Sequence, residues 1–97
     1  MASKTVLNNY GSFDVTFVRG EGSTLYDADG KAYIDFLSGI AVNCLGHNYA
    51  PLVKAISEQA ARIIHISNLY YTQPQADAAA KLVKLSGLDR AFFEIGR

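Results

Sequence analysis

The stretch Gly20-Glu21-Gly22-Ser23-Thr24-Leu25-Tyr26-Asp27-Ala28-Asp29-Gly30-Lys31-Ala32-Tyr33-Ile34-Asp35-Phe36 decides how this chain folds, because strand formers and turn formers alternate along it. Ser23-Thr24-Leu25-Tyr26 and Lys31-Ala32-Tyr33-Ile34-Asp35-Phe36 have the β-branched and aromatic character of strands. Between them, Asp27-Ala28-Asp29-Gly30 supplies acidic turn formers and a glycine able to take positive φ. Upstream, Val15-Thr16-Phe17-Val18 has the same strand character, and Gly20-Glu21-Gly22 breaks it from the next run. Three strands joined by two turns predict a small antiparallel meander over about residues 15–36.

Downstream, Leu37-Ser38-Gly39-Ile40-Ala41-Val42 continues apolar and glycine-interrupted, which predicts a buried connector rather than a regular element. Pro51 suits the first turn of a helix, where its missing N–H costs nothing. Leu52, Ile56, Gln59/Ala60 and Ile63 then recur at spacings of three and four, so a helix is expected over about 51–64. Pro74 repeats the device after Thr72 as cap. Ala76, Ala79, Ala80 and Val83 line one face of a second helix over about 74–86, and Gly87 stands where it should end. Ala91-Phe92-Phe93 has strand character again. The expected fold is mixed α/β: a small antiparallel meander, two helices and a short strand, with no internal repeat and no linker to divide domains.

A unit of 97 residues is expected to have a marginal core and to bury roughly 60 to 65% of its unfolded surface. With 49% apolar and 19% charged residues the composition is that of a globular chain. Nine basic and nine acidic residues cancel, and no basic block stands ready to neutralise a row of phosphates, so nucleic acid is not an expected partner. The opening from Met1 to Tyr10 has no long apolar run, and nothing approaches a membrane span; a soluble, cytoplasmic chain is expected. Cys44, the single cysteine, excludes an internal disulfide and reads as a small buried apolar side chain.

The residues taken by themselves offer little chemistry. His47 follows a glycine in a turn and His65 ends a helix, with no acidic or thiol partner at metal-ligand spacing, so neither a metal site nor a catalytic histidine is expected. Gly20-Glu21-Gly22 sits between strands, where turn geometry explains it better than a phosphate cradle does. Of the five lysines, Lys54, Lys81 and Lys84 fall on helix faces, Lys4 near the start and Lys31 in a hairpin, none in the desolvated setting that Schiff-base chemistry needs. Tyr70-Tyr71 lies between the helices, where ring burial with a paired hydroxyl is the default and contact with a ligand or a subunit the alternative. Ser38-Gly39 allows close approach of another group, either a ligand or a helix.

The succession Leu25-Tyr26-Asp27-Ala28-Asp29-Gly30-Lys31, Tyr33-Ile34-Asp35-Phe36, Ser38-Gly39-Ile40-Ala41-Val42-Asn43, Gly46-His47 and Ser67-Asn68-Leu69-Tyr70-Tyr71 resembles the N-terminal part of the class III aminotransferases that use pyridoxal 5′-phosphate. The similarity runs from about Asn9 to Phe93. The runs 38–43 and 67–71 favour the acetylornithine subgroup over the ornithine and 4-aminobutyrate enzymes.

This resemblance implies a segment of a fold-type I transferase that packs across a homodimer interface and handles amino acid and 2-oxo acid substrates. It implies that Ser38, Gly39 and Ile40 line the substrate pocket, that Tyr71 is an aromatic near the substrate, and that the loop from Asn68 to Tyr71 lies close to the partner subunit. After Phe92-Phe93 the family continues into a phosphate-binding Ser-Gly-(Ala/Thr)-Glu-Ala loop, where this chain has Glu94-Ile95-Gly96-Arg97. That loop and the large cofactor-binding domain, with its pyridine-pairing aspartate, Schiff-base lysine and substrate-binding arginine, are expected outside these 97 residues. No catalytic, cofactor-binding or metal-binding residue is therefore expected within them, and the chain alone is expected to bind no cofactor and to be inactive. The competing reading is a non-catalytic dimerisation or interaction fragment.

Overall fold

A computed structural model describes residues 5–94, which divide after Arg62 into two units. The first opens with three antiparallel strands in the order β1-β2-β3: β1 (Phe17–Glu21), β2 (Thr24–Asp27) and β3 (Ala32–Ile34). Glu21 faces Thr24 across the Gly22-Ser23 turn, and Gly22 takes φ 58° there. The second turn is built by one side chain. Asp27 Oδ1 accepts the Asp29 and Lys31 amides at 3.0 and 2.9 Å, the side-chain mimic of a backbone turn that makes aspartate a hairpin former.

The register shifts between Phe17 and Arg19, a bulge that lets Phe17 share a face with Leu25, Asp27 and Tyr33. On that face the Phe17 and Tyr33 rings meet edge to face, with centroids 5.3 Å apart at 87°. The Tyr33 hydroxyl donates to Asp27 Oδ2 at 3.0 Å. On the opposite face Arg19 lies 3.5 Å from the centre of the Tyr26 ring, a cation–π contact between paired residues of neighbouring strands.

The strands sit a little differently from the sequence reading. β1 begins at Phe17 rather than Val15 and runs on through Gly20, which the sequence reading takes as a break. Residues 38–41 do not form a buried connector. They make a single exposed or half-exposed turn, α1 (Ser38–Ala41), whose backbone is left-handed.

Helix α2 (Ala50–Ala60) starts from extended Tyr49, with Pro51 in its first turn. It stops at Ala60, short of the expected Ile64, and its last turn tightens there, the Arg62 N–H donating to the Gln59 carbonyl three residues back at 3.0 Å. α2 makes no packing contact with the sheet.

The second unit carries α3 (Gln73–Ser86), entered from extended Thr72. Gln73 Nε2 donates to Asp77 Oδ1 one turn on, at 2.7 Å. Gly87 ends the helix in the left-handed conformation at φ 72°, and its N–H bonds the Val83 carbonyl at 3.0 Å. Residues 91–94 take no regular structure. The strand character of Ala91-Phe92-Phe93 finds no partner strand among the described residues, and a strand exists only through its ladder.

Among the described residues none is buried, so the expected marginal core is missing. Cys44, expected inside, is exposed. Leu52, Val53 and Ile56 on α2 and Leu82 and Leu85 on α3 all face solvent. Apolar surface seeks burial at roughly 25 cal/mol per Å², so these faces drive association. Sedimentation of the isolated chain is expected to show species heavier than 10.5 kDa that bind a hydrophobic dye; a clean monomer at high concentration would contradict this.

Candidate functional site

Where β3 ends, Asp35 continues the ladder for one more bond, its N–H donating to the Ser23 carbonyl at 2.8 Å. Its side chain then does three things. Oδ1 accepts the Leu37 amide at 3.0 Å and the Ser38 amide at 2.8 Å, and Oδ2 lies 2.6 Å from His47 Nε2. The carboxylate is 7% exposed and the His47 side chain 23%. An ionised carboxylate only accepts, so the proton of the short contact lies on His47 Nε2.

His47 reaches Asp35 because Gly20 has no side chain. A Cβ on Gly20 would stand 2.7 Å from both Cβ and Cγ of His47, closer than carbon atoms approach. The imidazole thus lies across the sheet directly over Gly20, which explains why β1 keeps a glycine in mid-strand. The backbone fixes the same approach: Gly22 N–H donates to the His47 carbonyl at 2.9 Å, and His47 N–H to the Gly22 carbonyl at 2.8 Å. Gly46, at φ 79°, passes Gly22 so closely that a Cβ there would lie 3.0 Å from the Gly22 carbonyl oxygen.

The Asp35 fork opens directly onto α1. Ser38, Gly39, Ile40 and Ala41 have φ of 52°, 62°, 64° and 62°, a full left-handed turn in which only one residue is glycine. For an L-residue this conformation costs roughly 1–2 kcal/mol, and for β-branched Ile40 it is a pronounced outlier. The turn closes on itself: the Leu37 carbonyl accepts the Ile40 and Ala41 amides, and the Ser38 carbonyl accepts those of Val42 and Asn43, all between 2.9 and 3.0 Å. Such strain persists only where the surroundings over-determine it, and it gathers at ligand-contacting positions. Ile40 is held in this shape with 79% of its surface open.

Residues 5–95 match the aminotransferase class-III family. The chain belongs to that family. It is 54% identical over 93 residues to the acetylornithine aminotransferase of Methanocaldococcus jannaschii, covering 96% of this chain and 23% of that protein. To the acetylornithine aminotransferase of Wolinella succinogenes it is 56% identical over 89 residues, 91% of this chain and 23% of that one. The crystal structure of acetylornithine aminotransferase from Elizabethkingia anophelis superposes with a TM-score of 0.84 at 33% identity, over 90% of this chain and 23% of that one. The aminotransferase segment thus spans less than a quarter of the length of these relatives.

Of the residues singled out in the aminotransferase sequence, Ser38, Gly39 and Ile40 come together on the left-handed turn, Ser38 half-buried and the other two exposed. Tyr71 belongs to the second unit, in the loop that opens at Ser67 with φ 69°. Contrary to the default expectation of ring burial, Tyr71 is 102% exposed and Tyr70 67%. Asp35 and His47 escape the sequence reading: they lie twelve positions apart, and only the crossing of His47 over Gly20 joins them. No group of three His, Cys, Asp or Glu side chains able to hold a metal occurs among the described residues.

Nor does the donor set here suit a phosphate-bearing aldehyde cofactor. The described lysines Lys31, Lys54, Lys81 and Lys84 are all exposed, and both long helices begin with a proline that removes an N–H from the first turn. No helix of the described residues is long and apolar enough to cross a membrane. A cleft of about 480 Å³ beside Asp27, Lys31 and Tyr33 shares no residue with the turn.

Two outcomes follow for the clamp. In the full-length protein that carries this segment, Gly20→Ala is expected to displace His47 and lower the melting temperature, because the steric conflict is with the root of the imidazole and not its flexible end; an unchanged melting temperature and unchanged His47 chemical shifts would contradict the geometry. The Ser38 amide first, and then the His47 hydrogen bond, hold the Asp35 carboxyl below its ordinary value of 3.8. A carboxylate with a lowered folded-state pKa contributes stability above the unfolded value and loses it as pH falls through the lower folded one. Stability should therefore hold steady down to about pH 4 as far as Asp35 is concerned, then fall, with the fall shallower in Asp35→Asn. Melting temperatures of the full-length protein with and without Asp35→Asn, measured across that range, check it.

Proposed function

We infer that this chain is the N-terminal segment of a pyridoxal 5′-phosphate-dependent aminotransferase of the acetylornithine type. In its complete form that enzyme transfers an amino group between N-acetylornithine and 2-oxoglutarate, the step used in arginine biosynthesis, as a cytoplasmic homodimer. The single observation that carries this reading is 54% identity over 93 residues to an acetylornithine aminotransferase. The turn supports it: Ile40 is held in a strained left-handed conformation, and strain of that kind gathers at ligand-contacting positions.

The division of labour is then as follows. Pyridoxal phosphate supplies the electron sink for amino-group transfer and is held by the rest of the polypeptide. The residues of this segment bind and orient the substrate. Ser38 and Gly39 bring backbone and a small side chain close to it, and Ile40 gives its methylene stem an apolar surface that excludes water. By the resemblance alone, Tyr71 is taken as an aromatic near the substrate. A fully exposed tyrosine is suited to meeting either the substrate or the partner subunit.

Tyr71→Phe in the full-length protein that carries this segment tests the reading. It removes one hydroxyl and little volume, so the specificity constant for N-acetylornithine should fall about 10-fold or more, with stability nearly unchanged. Silent kinetics would remove Tyr71 from the site. A preference for ornithine over N-acetylornithine in the unmodified protein would move the assignment to the ornithine subgroup.

A further inference from the structure

The proposed reading gives Asp35 and His47 no contact with the substrate itself, yet the bonds they make bear directly on where the substrate wall stands. The wall begins at Ser38, and the first bonds that fix it are the Leu37 and Ser38 amides donating to Asp35 Oδ1 at 3.0 and 2.8 Å. A carboxylate on a strand end can rotate about its own side-chain bonds. Here it cannot, because Oδ2 is taken by His47 Nε2 at 2.6 Å, and His47 is itself fixed over Gly20 and bonded through its backbone to Gly22. The chain of restraint runs from the β1–β2 turn through His47 and Asp35 to the left-handed turn. Among the described residues the other backbone hydrogen bonds of α1 are internal, between the Leu37 and Ser38 carbonyls and the amides of residues 40–43.

We propose that Asp35 and His47 are a positioning pair for the amino-donor site: His47 orients the Asp35 carboxylate, and the carboxylate sets the place of Ser38, Gly39 and Ile40 against the substrate. This rests on the reading of those three residues as a substrate wall. A loosened wall binds the donor less well in every state of the reaction, so it raises KM and leaves the turnover of bound substrate largely alone. A general loss of structure would lower both parameters and the melting temperature together.

The test uses the full-length protein carrying this segment, with three variants: His47→Leu, His47→Gln and Ile40→Ala. Glutamine carries an amide N–H at about the reach of imidazole Nε2, so it can still donate to the carboxylate. His47→Leu is expected to raise KM for N-acetylornithine about 10-fold with kcat within about threefold, and to speed hydrogen exchange at the amides of residues 38–43; His47→Gln is expected to restore both. Exchange read by mass spectrometry reports the turn even where activity is lost. Normal KM or normal exchange in His47→Leu, or a glutamine variant no better than leucine, overturns the positioning pair. Ile40→Ala separates the two levels: if it raises KM while His47→Leu is silent, the wall stands and the pair falls, and if it is itself silent the wall reading falls and takes the pair with it.

Discussion

The Asp35 carboxylate is the constraint on which the first unit depends. It sits at the end of β3, with one oxygen shared between the first two amides of the turn and the other on His47. Two glycines make room for this arrangement. Gly20 vacates the space that the imidazole occupies, and Gly46 allows the loop to pass Gly22. A second carboxylate, Asp27, closes the other end of the meander by the same means, its pKa lowered chiefly by the Lys31 amide. Two aspartates thus frame three short strands that no hydrophobic core supports.

That absence of a core has a direct physical meaning. Hydrogen bonds contribute modest net stability, and a unit of this size ordinarily relies on apolar burial. Here the apolar side chains point outward from helices and sheet alike, and Ile40 stands in a conformation that isolated peptides avoid. Local geometry is held by turns, caps and the Asp35 clamp, while the free energy that would make the whole fold cooperative lies in surfaces still open. Family relatives about four times as long have the polypeptide to cover such surfaces.

Much of the architecture was legible from residue character. Asp27-Ala28-Asp29-Gly30 announced a hairpin, the two prolines announced helix starts, and Gly87 announced a helix end. The misses have separate physical causes. Gly20 looked like a break because a mid-strand glycine usually is one, and its reason lies in His47, far along the chain. Residues 38–41 looked like buried connector because their apolar character was read as burial, whereas here it marks an exposed turn. Ala91-Phe92-Phe93 had strand propensity with no ladder to join among the described residues, and Cys44 and the Tyr70-Tyr71 pair had the composition of buried residues where none of the described residues is buried. The candidate wall at residues 38–40 was visible only through likeness to a family; its strain and its clamp are properties of the fold.

The most direct measurement is a crystal structure of the full-length protein with N-acetylornithine bound. The account predicts that residues 38–41 keep their left-handed turn, that Asp35 still joins the Ser38 amide to His47, and that Ile40 lies within about 4.5 Å of the donor's carbon chain. A donor bound with Ile40 out of contact, or a turn that relaxes to the right-handed region when the rest of the enzyme is present, would contradict it.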